Sequence, residues 1–220
     1  MKAKKAVMEV RYNYIVIEGN IGAGKTTLAA KIAGEFNARL ILEHFTDNPF
    51  LPKFYEDPEK YSFPLELSFL AGRYRQLREE LEAPDLFSPF TVADYYFSKS
   101  LIFAASTLGG DEYKLFRQIF YIVYSSLPRP DIFVYLHLDT GRLLKNIENR
   151  GRPYERTITE KYLKSIQDSY FSFFRQNPEN KYLVIDINSV DFVSSDDDYR
   201  KIRNAIFMKD YPAGMNKLIL

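Results

Sequence analysis

The chain has 220 residues, enough for about one domain with a full core, and it is 46% hydrophobic and 27% charged, the balance of an ordinary soluble globular protein. A formal net charge of +1 makes no case for a nucleic-acid or membrane partner. The lack of cysteine excludes disulfides, thiolate zinc sites and cysteine nucleophiles and suits a reducing compartment, while two histidines, His44 and His137, are too few for a histidine-rich metal site.

No apolar run is long enough to span a bilayer. Residues 1–10 are basic but lack the apolar core of a secretion signal, so they are read as a frayed start and the chain as cytoplasmic. A single domain is expected, with an ordered core over about 13–210. The 17 Tyr and 18 Phe belong mostly to that core, and some are candidates to stack on a ligand ring.

Taken in order, residues 14–18 form a short apolar, β-branched run, the mark of a buried strand. Gly19-Asn20-Ile21-Gly22-Ala23-Gly24-Lys25-Thr26 follows and fits G-x-x-x-x-G-K-[ST]. Thr27 and the apolar residues after it read as a helix to about residue 36. A strand–glycine loop–helix order aims backbone N–H groups and a helix N-terminus at one point, which attracts phosphate. Lys25 is placed to reach the β- and γ-phosphates of a bound nucleotide, and the Thr26 hydroxyl to take a position on Mg²⁺.

A second strand over 39–42 ends at Glu43, and 45–49 read as a turn. A helical segment over 50–55 precedes a long helix from Asp57-Pro58 to about residue 82, whose apolar residues recur at three and four. A proline-containing loop, 83–89, leads to a third strand, 90–93, ending at Asp94. Helices are expected over 99–108 and 112–126, broken apart by Gly109-Gly110. Residues 132–138 are a near-continuous apolar run, as in a central parallel strand. Asp139-Thr140 can cap a helix to about residue 150. A polar loop (151–157), a helix (159–176), a fifth strand (182–187) and a last helix (196–208) complete the pattern, and the tail after residue 211 carries no signal. Strands alternating with helices predict an α/β fold, a parallel sheet of about five strands with helices on both faces. Ligands then sit beyond the carboxyl ends of the strands, where Gly19, Glu43 and Asp94 fall.

A phosphate loop alone serves switches, motors and kinases. The chain is too small for a motor and lacks the Asn-Lys-x-Asp guanine-reading motif of switch GTPases. It carries Arg150, Arg152 and Arg156 on one loop, able to close over a triphosphate as a lid. Glu43 is positioned to take the proton of an attacking hydroxyl or to organise Mg²⁺, and Asp94 to partner Mg²⁺ or its waters.

Beyond these derivations the sequence resembles the deoxynucleoside kinases of the deoxycytidine and deoxyguanosine kinase type. The resemblance runs from about residue 14 to 204. It rests on Glu18-Gly19-Asn20-Ile21-Gly22-Ala23-Gly24-Lys25-Thr26-Thr27-Leu28, on Glu43, on Asn48-Pro49-Phe50-Leu51, on Tyr55-Glu56-Asp57-Pro58-Glu59-Lys60-Tyr61-Ser62-Phe63, on Ile102-Phe103-Ala104 and on Arg150-Gly151-Arg152. It implies a P-loop kinase fold with an arginine lid, an ATP-dependent kinase using Mg²⁺, and a homodimer formed through helices in the 99–126 region. It further implies Glu43 as base for the 5′-hydroxyl, Tyr55 and Glu160 as partners of the sugar 3′-hydroxyl, Phe103 as the ring on the base and Arg73 near base and sugar.

Two departures stand out. The acidic-Arg-Ser triplet that many members carry after the third strand has lost its arginine and serine in the segment Val92-Ala93-Asp94-Tyr95-Tyr96-Phe97-Ser98-Lys99, where Asp94 stands for either the acidic member or the arginine position and Lys99 either supplies the missing charge or lies on the surface. A bacterial deoxyguanosine kinase branch is similar in carrying an Ala-Asp-Tyr segment. In the long helix, Glu66 stands where members often have glutamine. An ionised carboxylate only accepts hydrogen bonds, which matches the adjacent N1–H and 2-amino donors of guanine and mismatches adenine, unless Glu66 instead pairs with Arg73. The expected activity is phosphorylation of a purine deoxynucleoside, deoxyguanosine first and deoxyadenosine next. Two alternatives remain: a thymidylate-like monophosphate kinase, with Arg73, Arg75 and Lys99 clamping the acceptor phosphate, and a non-catalytic nucleotide-binding module.

Overall fold

Six strands form one parallel sheet: β1 (Tyr14–Gly19), β2 (Arg39–Ile41), β3 (Thr91–Ala93), β4 (Ile132–His137), β5 (Lys181–Asp186) and β6 (Gly214–Ile219), in the order β2-β3-β1-β4-β5-β6. The computed structural model describes residues 10–44, 48–82 and 85–220. The expected start at 1–10 falls almost wholly outside these, as do parts of the expected turn 45–49 and loop 83–89. The helices are α1 (Lys25–Phe36), α2 (Leu51–Glu56), α3 (Pro58–Glu82), α4 (Ser98–Thr107), α5 (Gly110–Tyr124), α6 (Thr140–Arg150), α7 (Glu160–Gln176) and α8 (Asp196–Phe207).

Alternation along the strands separates two cores, because successive side chains leave a strand on opposite faces. Ile15, Ile17, Val134, Leu136, Leu183 and Ile185 point to one face, where they meet Leu28 and Ile32 of α1, Leu143 and Ile147 of α6 and Ile202 and Ile206 of α8. Val16, Ala93, Phe133, Tyr135, Tyr182 and Val184 point to the other, against Leu70 and Leu77 of α3, Leu101 and Ile102 of α4, Phe116 and Phe120 of α5 and Tyr170 and Phe174 of α7. The second core is rich in rings: Phe97, Phe120 and Tyr124 stack, with Phe97 and Phe120 centroids 5.0 Å apart. Asp131 anchors the entry to β1 by accepting from the backbone N–H groups of Asn13 and Tyr14 at 2.6 and 2.9 Å.

The expected five-stranded sheet is corrected to six. The tail beyond residue 211 adds β6 beside β5, with Leu218 packing on one core and Met215 on the other. It was silent in sequence because an edge strand is only half covered, and its alternation is broken by Asn216 and Lys217. The break expected at Gly109-Gly110 separates α4 from α5, and Gly110 itself opens α5 with a φ of 53°. Asp139 takes the cap position of α6 but makes no side-chain cap bond, and its backbone N–H donates to Asn188 Oδ1. Thr159 does cap α7, accepting from the Tyr162 N–H.

Candidate active site

The phosphate loop leaves β1 and enters α1 through two glycines with left-handed backbone. Gly22 has a φ of 83° and Gly24 a φ of 86°; a Cβ there would lie 2.9 Å from the Leu143 carbonyl oxygen and 2.8 Å from the Phe192 ring. Asn20 locks the turn, donating to the Leu163 carbonyl at 2.7 Å and accepting from the Ile21 N–H at 2.8 Å. Asn146 of α6 holds the Gly22 carbonyl at 2.9 Å. Lys25 is folded back onto the Asn20 carbonyl at 2.8 Å. Burial, and then the nearby Lys99 charge, lower its ammonium to about 8. A phosphate anion in the loop would reverse that shift.

Beside the loop opens a cleft of about 820 Å³ lined by Lys25, Thr26, Glu43, Tyr55, Glu66, Arg73, Asp94, Phe103, Arg150 and Arg152, all named from sequence. Asp94, at the end of β3, ties the parts together: it accepts from Thr26 Oγ1 at 2.5 Å and from the Glu43 N–H at 2.8 Å. Glu43 is held by two cations, Arg73 with Nε at 2.8 Å from Oε1 and Lys99 with Nζ at 2.5 Å from Oε2. Burial alone would raise its carboxyl, but Lys99 and Arg73 outweigh it and hold the group at about 2. Lys99 is therefore not a surface lysine. It is buried, with its ammonium paired to Glu43 Oε2. Arg73 also donates to Ser100 Oγ at 2.9 Å. The Glu66–Arg73 pairing left open from sequence is thus not formed as a hydrogen bond.

Glu66 is 2% exposed. Its Oε1 accepts from Thr107 Oγ1 at 2.9 Å, and its Oε2 has no hydrogen-bond partner. Burial raises its carboxyl to about 7 against the lowering pull of Arg73. Phe103 forms an edge-to-face pair with Tyr170 at 6.4 Å, and Phe69 carries the Arg73 guanidinium over its ring at 4.6 Å.

The lid begins where α6 ends at Gly151, with a φ of 71°, and turns through one 3-10 helical turn over Pro153–Glu155. That turn buries Glu155, which binds Arg150 Nη2 at 2.6 Å and Arg152 Nη1 at 3.3 Å. Glu155 lines the cleft, and Tyr154 stacks on Tyr55 with centroids 6.0 Å apart. Glu160 does not line the cleft: it is exposed at the start of α7, where it accepts from Thr140 Oγ1 at 2.7 Å. The tight turn carries Glu155 inward and leaves Glu160 outside, so the carboxylate that acts most strongly on Tyr55 comes five residues earlier in the chain than Glu160. Arg156 is likewise exposed and not among the lining residues. Sequence reasoning missed Phe69, Tyr154, Glu155 and Tyr162. Only Glu155 left a signal there, the spacing Arg-x-Arg-x-x-Glu. As for metal ligands, both Glu43 oxygens are committed to cations, which makes it a poor Mg²⁺ ligand. Thr26 and Asp94 pair hard oxygen donors at the loop and fit that ion.

Residues 15–209 match the family model described as deoxynucleoside kinase. The chain is 37% identical over 193 residues to a deoxyguanosine kinase of Bacillus subtilis strain 168, covering 86% of this chain and 93% of that one. It is 28% identical over 199 residues to a deoxyadenosine/deoxycytidine kinase of the same organism, covering 87% and 90%. In fold it is similar to a solved deoxyadenosine kinase of M. mycoides with bound dATP, with a TM-score of 0.76 at 24% identity over 88% of this chain and 98% of that one. Phosphate loop, flanking carboxylates, arginine turn and family match agree, and the chain belongs to the deoxynucleoside kinase family of ATP-dependent phosphotransferases.

Proposed function

We propose that the protein transfers the γ-phosphoryl group of ATP, with Mg²⁺, to the 5′-hydroxyl of a purine deoxynucleoside, deoxyguanosine before deoxyadenosine. The observation that carries the purine choice is the Glu66 carboxylate, buried in the same cleft as Glu43 with one oxygen lacking a partner. The activity named for the Bacillus deoxyguanosine kinase supports it.

In this reading the loop N–H groups and Lys25 hold the phosphates, and Thr26 and Asp94 hold Mg²⁺, which neutralises phosphate charge when bound. Glu43, ionised at every working pH, orients the 5′-hydroxyl. It is a weak base, so it takes the proton only as the new P–O bond forms and acidifies that hydroxyl. Arg150 and Arg152 exchange Glu155 for the triphosphate. Glu155 and Tyr55 are then placed for the sugar 3′-hydroxyl; burial and the neighbouring carboxylate raise the Tyr55 phenol and keep it a donor. Phe103 packs on the base.

Among the described residues no helix is long and apolar enough to cross a membrane, and a cytoplasmic site of action fits this chemistry. On α5, Leu115, Tyr121 and Ile122 are exposed, Ile122 by 78%, and they are proposed to be covered in a homodimer. A monomer at micromolar concentration in a size measurement would remove that part. Two observations weigh against the alternatives. Arg73 and Lys99 are committed to Glu43 and Arg75 is exposed, which leaves no clamp for an acceptor phosphate. Lys99 also supplies the missing charge, the one feature that favoured a non-catalytic module.

The test is phosphoryl transfer from Mg²⁺-ATP to the four common deoxynucleosides and their monophosphates, by the native chain and by Glu66→Gln. Deoxyguanosine should lead, and Glu66→Gln should move preference towards deoxyadenosine. A pyrimidine leading on the native chain, or phosphorylation of monophosphates alone, would overturn the reading.

A further inference from the structure

We infer that Glu66 is a protonation gate: its neutral form admits bases with an amino-donor, ring-nitrogen-acceptor edge, adenine and cytosine, and its ionised form excludes them while still admitting lactam bases such as guanine and hypoxanthine. The inference rests on the reading that Glu66 meets the base. It extends that reading to a second class of substrate, selected by pH at one side chain.

The geometry supplies the parts. Glu66 sits in the cleft wall with Oε1 bound to Thr107 and Oε2 unpartnered, so Oε2 meets a ligand as acceptor when ionised and as O–H donor when protonated, while Oε1 keeps a second lone pair to accept beside its Thr107 bond. The Thr107 hydroxyl has one proton and two acceptors in reach, Glu66 Oε1 and the Phe103 carbonyl at 3.1 Å. It can therefore follow Glu66 through either state.

Adenine and cytosine present one N–H donor beside a bare ring nitrogen. A carboxylic acid completes both bonds, its C=O accepting and its O–H donating. A carboxylate satisfies only the amino group and turns a second lone pair onto the ring nitrogen. Guanine offers N1–H and the 2-amino group to the carboxylate, or O6 and N1–H to the acid. Ionisation therefore costs the amino-edge bases a bond and sets a lone pair against their ring nitrogen, costs guanine none, and leaves hypoxanthine its N1–H bond with no lone pair opposed to a ring nitrogen.

The surroundings keep both states within reach. Arg73, on the same helix, favours the anion, as do Thr107 and Lys99 from α4. Glu43 from beyond β2 opposes it, and the Tyr55 phenol of α2 and the Tyr162 phenol of α7 face the same group. With burial dominant, the balance falls at about 7.

The experiment is kcat/KM for deoxyadenosine, deoxycytidine, deoxyguanosine and deoxyinosine from about pH 6 to about pH 8.5, on the native enzyme, Glu66→Gln and Thr107→Val. Titrations of Lys25 and Glu18 act on all four substrates alike and cancel in the ratio of deoxyadenosine to deoxyguanosine. That ratio should be level below about 7 and fall about tenfold per pH unit above it, with deoxycytidine following deoxyadenosine and deoxyinosine, which keeps its N1–H bond to the anion but loses the bond to O6, falling only to a plateau. Thr107→Val, which removes a bond to the anion, should move the bend to higher pH. Glu66→Gln should hold the ratio level throughout. A level ratio in the native enzyme, with Glu66→Gln still changing base preference, overturns the gate and leaves the base contact standing. No change of preference in Glu66→Gln overturns the base contact, and the gate with it.

Discussion

Lys99→Met tests the charge arrangement around Glu43 most directly, because it keeps the length of the stem and removes only the cation. The Glu43 carboxyl sits at about 2 against an ordinary 4.5. That difference corresponds to about 3 kcal/mol of net stabilisation of the anion. Lys99 is the larger of the two opposing contributions, so its loss should return at least half of the shift and raise Glu43 by about 1–2 pH units. Breaking a buried pair outright costs about 3–5 kcal/mol, but here Arg73 stays on Oε1 at 2.7 Å, and we expect about 2 kcal/mol. For a chain of this size that lowers Tm by roughly 4–8 °C.

The sign follows from linkage. A carboxyl depressed in the fold contributes stability that is present above its unfolded value near 4.5 and lost as pH falls through about 2. The gap between native and Lys99→Met should therefore be full at pH 7 and narrow in acid. Urea denaturation at about pH 7 and about pH 2.5 measures it, since the gap is lost between the variant's folded value and the native one, and the acid limb of kcat/KM should move up by the same 1–2 units, roughly. Lys99→Arg, which retains the charge, should fall between the two. A variant with native Tm at neutral pH and an unmoved acid limb would refute the pairing as the source of Glu43's low value.

Glu18 is fully buried beneath the loop, accepting from the Tyr170 hydroxyl at 2.8 Å and the Tyr96 N–H at 3.1 Å, and burial raises it to about 7. The folded state then binds more protons than the unfolded one between about 4.5 and 7, so this group costs stability as pH rises through that window. Glu18→Gln should gain Tm on the native protein from about pH 5 to about pH 8, and a pH-independent difference would count against it. Glu155→Gln should weaken the grip on Arg150 and Arg152 while losing a sugar contact. The expected pattern is a KM for deoxynucleoside raised by about tenfold or more, with a smaller change for ATP. An equal loss on both substrates would place Glu155 as a lid strut alone.

What the sequence determined by itself was carried by contiguous residues. The strand–loop–helix around Lys25, the carboxylates Glu43 and Asp94 at strand ends, and the apolar run of β4 each follow from local backbone rules and the period of the chain. The blocks around Tyr55, Phe103 and Arg150-Gly151-Arg152 carried the family for the same reason. The tertiary structure decided what depends on side chains far apart in the chain. Whether Lys99 is solvated or buried turns on Glu43, 56 residues away, and Arg73 chooses Glu43 over Glu66 across 30 residues. Which carboxylate faces Tyr55 is settled by one tight turn that buries Glu155 and leaves Glu160 outside. β6 exists because β5 presents an open edge, and its own half-exposed residues carry too weak a pattern to announce it. Local sequence specifies backbone and strand-end position, while the charge state of a buried group is a sum over neighbours that only packing brings within reach.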